Sequence, residues 1–125
     1  RKRRMPGRWE TVHTSNDPDG REEGGSFTWR GRLCLLGGRG VLPVECLEPR
    51  SWRWETHSAH THDLHHVQPV EYQGQFWVVS GWVGAWPAEQ QIKETVLYDP
   101  GAQRLSRGCP IPDGHRRGAA GAIMW

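Results

Sequence analysis

The 125 residues predict an all-β chain assembled from four-stranded antiparallel units, and three observations carry that expectation. Sixteen glycines, nine prolines and eight tryptophans suit many short strands joined by tight turns. No stretch sustains the 3.6-residue apolar period of an amphipathic helix. Strand–turn–strand patterns also recur in register 43 to 51 residues apart, the period of a repeated supersecondary unit.

The register is set by four alignments. "RWET" stands at residues 8–11 and returns at 53–56, an offset of 45. "SFTWRGRLCLLGG" over "PVEYQGQFWVVSG", offset by 43, matches Phe27 to Val70, Trp29 to Tyr72, Gly31 to Gly74, Leu33 to Phe76 and Gly38 to Gly81. "CLEPRSWRW" over "LYDPGAQRL", offset by 51, matches Leu47 to Tyr98, Pro49 to Pro100 and Trp54 to Leu105, so eight residues are inserted between Gly81 and Ile92. "REEGGSFTW" over "RGAAGAIMW", offset by 96, pairs Arg21 with Arg117, Gly25 with Gly121 and Trp29 with Trp125.

Each unit then holds an inner strand (about 24–30, 66–72 and 118–125), a Gly-turn partner (32–37 and 75–80), a third strand (43–48 and 93–99) and a fourth carrying Trp54 or Leu105. Trp9 ends the unit before. The glycines after the second strand let inner strands approach without a Cβ, and Pro49 and Pro100 pre-set φ in the turns between strands three and four. Two sheets, at about 24–56 and 66–107, should pack face to face with Trp54 between them. The chain divides into a basic tail and closing strand (1–20), one unit (21–56), a second with the connection before it (57–107), and the start of a third (108–125).

Net charge is only +2, which argues against a nucleic-acid binder driven by charge, and the one basic run, "RKRR" at 1–4, reads as a solvated tail. No apolar stretch approaches the roughly 20 residues of a membrane-crossing helix. The chain neither begins with Met nor shows a signal-peptide core, so it reads as a piece of something longer. Cys34, Cys46 and Cys109 are odd in number with no C-x-x-C pair; Cys34 and Cys46, in apolar runs, are expected to be buried free thiols.

The order of apolar quartet, "GG", "YDP" and tryptophan resembles the Kelch repeat, the blade of galactose-oxidase-like β-propellers. "LCLLGGRGVLPVECLEPRSWRW" looks like one such blade nearly end to end, and the likeness covers about residues 8 to 125. Ser80-Gly81 for the second glycine pair, Leu47 for the third-strand aromatic and Leu105 for the second tryptophan depart from the pattern. The resemblance implies two complete blades and two partial ones, too few to close a ring of four or more. It also implies a protein or peptide ligand held by loops on one face, with the remaining blades of the same propeller as neighbours. Alone, the chain should expose apolar outer faces and self-associate.

Five of the seven histidines lie between Ser51 and Val67, at 57, 60, 62, 65 and 66. His-x-His in extended chain puts His60 and His62 on one face, with Asp63 beside them, but a tetrahedral zinc site needs three or four converging ligands on rigid structure. The tract is therefore expected to be an exposed polar connection that holds no metal and charges together as pH falls toward 5, tightening the hold on an acidic partner. Residues on loops of a rigid scaffold are the ones to bind. They are Arg39 in the first loop between strands two and three, Trp82, Trp86 and Glu89 in the longer second one, and His60, His62, Arg116 and Arg117 in the connections. Arg and Trp dominate interface energies when a partner buries them. Local alternatives are that Trp82 caps its own sheet and that Arg116 or Arg117 pairs with Asp113. No catalytic residue or cofactor is expected. Copper-radical chemistry of the galactose-oxidase kind needs tyrosine and histidine ligands and a cysteine joined to a tyrosine, and only Tyr72 and Tyr98 are present. An enzyme or carbohydrate-binding propeller is the alternative reading.

Overall fold

The computed structural model describes residues 7–58 and 62–125, and among them the chain is all-β. Strands β1 (Gly25–Trp29), β2 (Arg32–Leu36), β3 (Val44–Glu48) and β4 (Arg53–Ser58) make the first sheet, each antiparallel to the next in chain order. Then come β5 (Leu64–His65), β6 (Val70–Tyr72), β7 (Gln75–Val78), β8 (Trp82–Val83), β9 (Gln90–Gln91), β10 (Glu94–Asp99) and β11 (Arg104–Pro110). The second sheet is ordered β6-β7-β10-β11, again antiparallel throughout, and β5-β8-β9 form a small third sheet. That third sheet has no signature in the sequence, because two-residue strands in a connection and an insertion carry no periodicity.

The repeat is written in the backbone as well as in the residues. Arg30-Gly31 (φ 49° and 74°) and Gln73-Gly74 (φ 51° and 75°) supply the two successive left-handed residues that a type I′ hairpin requires. Trp52 and Gln103, 51 positions apart, turn the chain between strands three and four at φ 51° and 53°. Ahead of the inner segments, Glu23, His66 and Ala119 take φ 59°, 56° and 51°. Successive units are also joined alike: Gly38 N–H donates to Leu64 C=O (2.9 Å), and its counterpart Gly81 N–H donates to Arg117 C=O (3.1 Å).

Cross-strand partners share a sheet face, and parity along each strand decides what is buried. Phe27, Cys34, Leu36, Val44 and Cys46 line the face of the first sheet that meets Phe76, Val78 and Tyr98 of the second. The Phe27 ring lies 4.1 Å from Phe76 and 5.9 Å from Tyr98, centroid to centroid, contacts of a kind that contribute about 0.5–1.5 kcal/mol each beyond area burial. Trp29 stacks edge-on against His57, whose Nδ1 is 2.6 Å from the Tyr98 hydroxyl.

Four expectations are corrected by this packing. Trp54 does not lie between the sheets: it opposes Leu47, which opposes Leu33, and that face points away from the core-lining Cys34 and Cys46. Its counterpart Leu105 opposes Tyr98 and packs on the core instead. The edge of β4 is held by Asn16, whose amide donates to Trp54 C=O (3.1 Å) and accepts from Trp54 N–H (2.8 Å). Cys34 and Cys46 are not free thiols but a disulfide, because they stand directly opposite across β2 and β3 with Cα atoms 4.1 Å apart. Cys109, exposed on β11, is the free cysteine. Residues 118–125 form no strand: a strand needs a ladder partner, and the segment that pairs with the inner strand in each earlier unit has no counterpart in these 125 residues. Trp9 likewise belongs to no strand and is fully exposed.

A strap over residues 14–22 completes the first sheet. The Arg21 guanidinium reaches Gly37 C=O, Pro43 C=O and the Glu45 carboxylate at 2.8, 3.1 and 2.5 Å, and the ion pair is buried on both sides. Asp19 N–H adds two further bonds to Glu45. A charge taken from water survives there on its ion pair with Glu45 and two carbonyl bonds, although Arg21 Nε has no partner.

Candidate functional site at the loop end of the sheets

Antiparallel alternation sends the β2–β3 loop, the β4-to-β6 connection and the β7–β10 insertion to one end, while the two-residue β1–β2 and β6–β7 hairpins and the four-residue β3–β4 and β10–β11 turns close the other. Backbone bonds knit that end together. Asp63 is the hub: its carboxylate accepts from Gly40 N–H (2.9 Å) and its C=O from Gly84 N–H (3.0 Å). The insertion forms the β8–β9 hairpin, which pairs with β5 through His65 opposite Trp82. Trp86 stands at its tip, 75 % exposed.

Between these loops sits a charged cluster. Arg39 Nε is 2.7 Å from Glu23 Oε2, and Arg39 Nη1 is 3.0 Å from Glu89 Oε2. The Glu89 hydrogen bond, assisted by Glu23 and only partly opposed by desolvation, raises the Arg39 guanidinium above its ordinary value, so Arg39 is a permanent cation here. His65 is fully buried beneath them, with Nε2 2.9 Å from Gly84 C=O. A carbonyl only accepts, so Nε2 carries a proton, and in a neutral ring Nδ1 then has the lone pair. That Nδ1 lies 2.8 Å from His66 Nδ1 and 3.4 Å from Glu23 Oε2, and His66 Nδ1 is 3.1 Å from the same oxygen.

The predicted binding residues divide accordingly. Arg39 and Glu89 are brought together, as partners of one another rather than as free groups. Trp82 packs back: its indole lies so close to Gly118 that any Cβ there would overlap it. Arg116 is bonded to Asp113 (2.5 Å), and Arg117 Nη1 donates to Gly114 C=O and Arg116 C=O, so both close their own turn. His62 is exposed and lines a cavity of about 750 Å³ with Val83, Gln91, Lys93, Glu94 and Arg107. His60 lies outside the described residues. Trp86 remains a side chain held out to solvent.

The expectation of an exposed, uniformly titrating histidine tract is corrected. His57 and His65 are buried and His66 is half-buried, because β4 runs on to Ser58 and β5 takes His65 into the third sheet. Burial, with the Arg32 charge, lowers the His57 pKa, so it resists charging as pH falls. Sequence reasoning missed Glu23, His65 and His66 as a group. The signal was present, since Glu23 and His66 occupy the same slot of successive units, 43 residues apart.

Comparison with models of protein families finds no match to this chain, and comparison with curated proteins finds none either.

Proposed function

We propose that the two four-stranded sheets are successive Kelch-type blades of a β-propeller, and that the loop end is a scaffold for a protein or peptide ligand. The observation that carries the binding reading is Trp86, a large apolar side chain held 75 % exposed on the β8–β9 hairpin, in the same loop as Glu89. Tryptophan is enriched at interface centres and among the residues that dominate binding energy there. The blade reading draws support from the repeated link between units. It also draws support from the way Glu23-Gly24, His66–Gln68 and Ala119–Gly121, the starts of three successive units, line one cavity of about 290 Å³. The galactose-oxidase-like alternative finds its residues in other roles: Tyr98 is buried against His57, and Cys34 and Cys46 are joined to each other.

The test places a photoreactive benzoylphenylalanine at position 86, or as a control at Ala102 in the exposed β10–β11 turn of the opposite end. Irradiation in a cell extract should yield a discrete protein adduct from position 86 alone. Equal adducts from both positions, or none from 86, would overturn the proposal. Protection of position 86 by an oligosaccharide in place of a protein adduct would favour the carbohydrate-binding alternative.

A further inference from the structure

We propose that Glu23, His65 and His66 form a three-ligand site for a divalent cation of the zinc class, with the fourth position open to the cavity between the inner segments. The inference stands apart from the protein-binding reading, because it rests only on the geometry of these three residues and their neighbours.

The three donor atoms form a triangle with sides of 2.8, 3.1 and 3.4 Å. Two ligands of a tetrahedral zinc with bonds of about 2.0–2.1 Å stand about 3.3–3.4 Å apart. A point about 2 Å from all three atoms of this triangle lies just off its plane, where a three-coordinated ion with one vacant position sits. The two imidazole nitrogens, 2.8 Å apart, would separate by about 0.5 Å to take up the tetrahedral spacing around an ion. Without an ion, a proton on His66 Nδ1 donated to His65 Nδ1 or to the Glu23 carboxylate bridges the same three atoms, so the ion would take that proton's place.

The surroundings supply the orientation that metal-binding histidines need. His65 donates its other N–H to Gly84 C=O, the outer contact that fixes which nitrogen faces the ion. Opposite Trp82 in β5, its backbone is held by the third sheet. Glu23 and His66 are locked to each other through His66 N–H to Glu23 C=O (2.7 Å). Arg39 opposes a cation by its charge, yet it also holds the Glu23 carboxylate in place through its Nε. Glu89 offsets it at 3.0 Å, so Glu23, Glu89 and Arg39 together carry a formal charge of −1 and the ion enters a net negative site.

Two imidazoles and one carboxylate suit zinc and its first-row neighbours better than calcium or magnesium, which take oxygen ligands. Glu23 and His66 also line the cavity of about 290 Å³ with Gly24, Val67, Gln68 and Ala119–Gly121. Water, or a carboxylate offered by a ligand, would complete the coordination there.

The experiment titrates the metal-stripped full chain with Zn²⁺ alone by calorimetry and follows Co²⁺ in parallel by its visible ligand-field spectrum. Glu23→Gln and His66→Ala remove one ligand each from partly exposed positions. His65 is left intact because its loss would unpack β5 as well as remove a ligand. His13→Ala and His115→Ala, both exposed and remote in sequence, are controls. The expected result is one-to-one binding, weakened about tenfold or more in each ligand variant and unchanged in the controls, with a four-coordinate Co²⁺ spectrum lost in the same two variants. Absence of one-to-one binding in the unaltered chain, full affinity in either ligand variant, or equal loss in a control would overturn the proposal.

Discussion

Replacing Tyr98 by Phe removes one oxygen from the middle of the core without changing its shape. That oxygen lies 2.6 Å from His57 Nδ1 and has the Ser58 hydroxyl as a second partner, and all three residues are buried. Leaving a buried polar atom without its partner costs about 1–3 kcal/mol, so Y98F should lose about 2 kcal/mol in urea unfolding followed by tryptophan fluorescence. The pH profile makes the test sharper. Burial pushes the Tyr98 phenol from its ordinary 10.0 up to about 12, with Asp99 adding to the rise and the Ser58 hydrogen bond opposing it. The fold therefore favours the neutral phenol: its contribution is full below about pH 10 and is lost as pH rises through 12. A difference of about two pKa units corresponds to roughly 3 kcal/mol across that window. The Phe variant should lack this alkaline limb. On the acid side the folded His57 pKa is lowered, so its contribution is full above about pH 6.5 and falls as pH drops below. Parallel alkaline stability curves for the two proteins would refute the argument, because they would mean that Tyr98 ionises as easily folded as unfolded.

Opening the Cys34–Cys46 bridge, whose ends are 12 residues apart, with C34A and C46A together should cost about 3 kcal/mol of loop-closure entropy by calorimetry. Thiol titration of the unfolded, unreduced chain should find one free thiol, Cys109, and three would refute the bridge. Trp86→Ala should leave stability within about 0.5 kcal/mol, as exposed substitutions do. Trp82→Ala, packed against Gly118, should lower it by about 2 kcal/mol; early melting of W86A would refute the tip assignment. Leu33, Tyr72 and Val79, on the outward faces, are 42 %, 43 % and 41 % exposed, so sedimentation should show concentration-dependent association that Leu33→Glu weakens. A monomer at every concentration would refute it.

The strands were legible because each carries local information: Gly31 and Gly74 mark hairpins, Pro49 and Pro100 mark turns, and the offsets of 43 and 51 return as equal φ angles. Facing was harder to read, because a strand of five residues alternates without saying which parity is inward. Size alone points Trp54 inward, whereas its parity with Leu47 and Leu33 sends it outward. The disulfide was hidden for a related reason, since only the β2–β3 register sets Cys34 opposite Cys46. Arg39 and Glu89 could be picked out as loop residues, but their pairing across 50 positions of chain depends on the insertion folding back toward the first sheet.

The same repeat explains why chemistry collects at one junction and not at the next. Glu23, His66 and Ala119 stand at matching positions of the sequence repeat and take φ of 59°, 56° and 51°, so the backbone offers the same left-handed corner each time. Such a slot fixes where a Cβ points and leaves the side chain free to vary. Between the first and second units the corner presents a carboxylate and an imidazole to each other, with His65 buried beneath. Between the second and third it presents His66 and an alanine methyl, and the position following Gly81 is closed by Trp82 against Gly118. A scaffold that repeats its geometry therefore produces a converging donor set only where the residues of two adjacent slots are complementary, and in these residues that condition is met at the first junction.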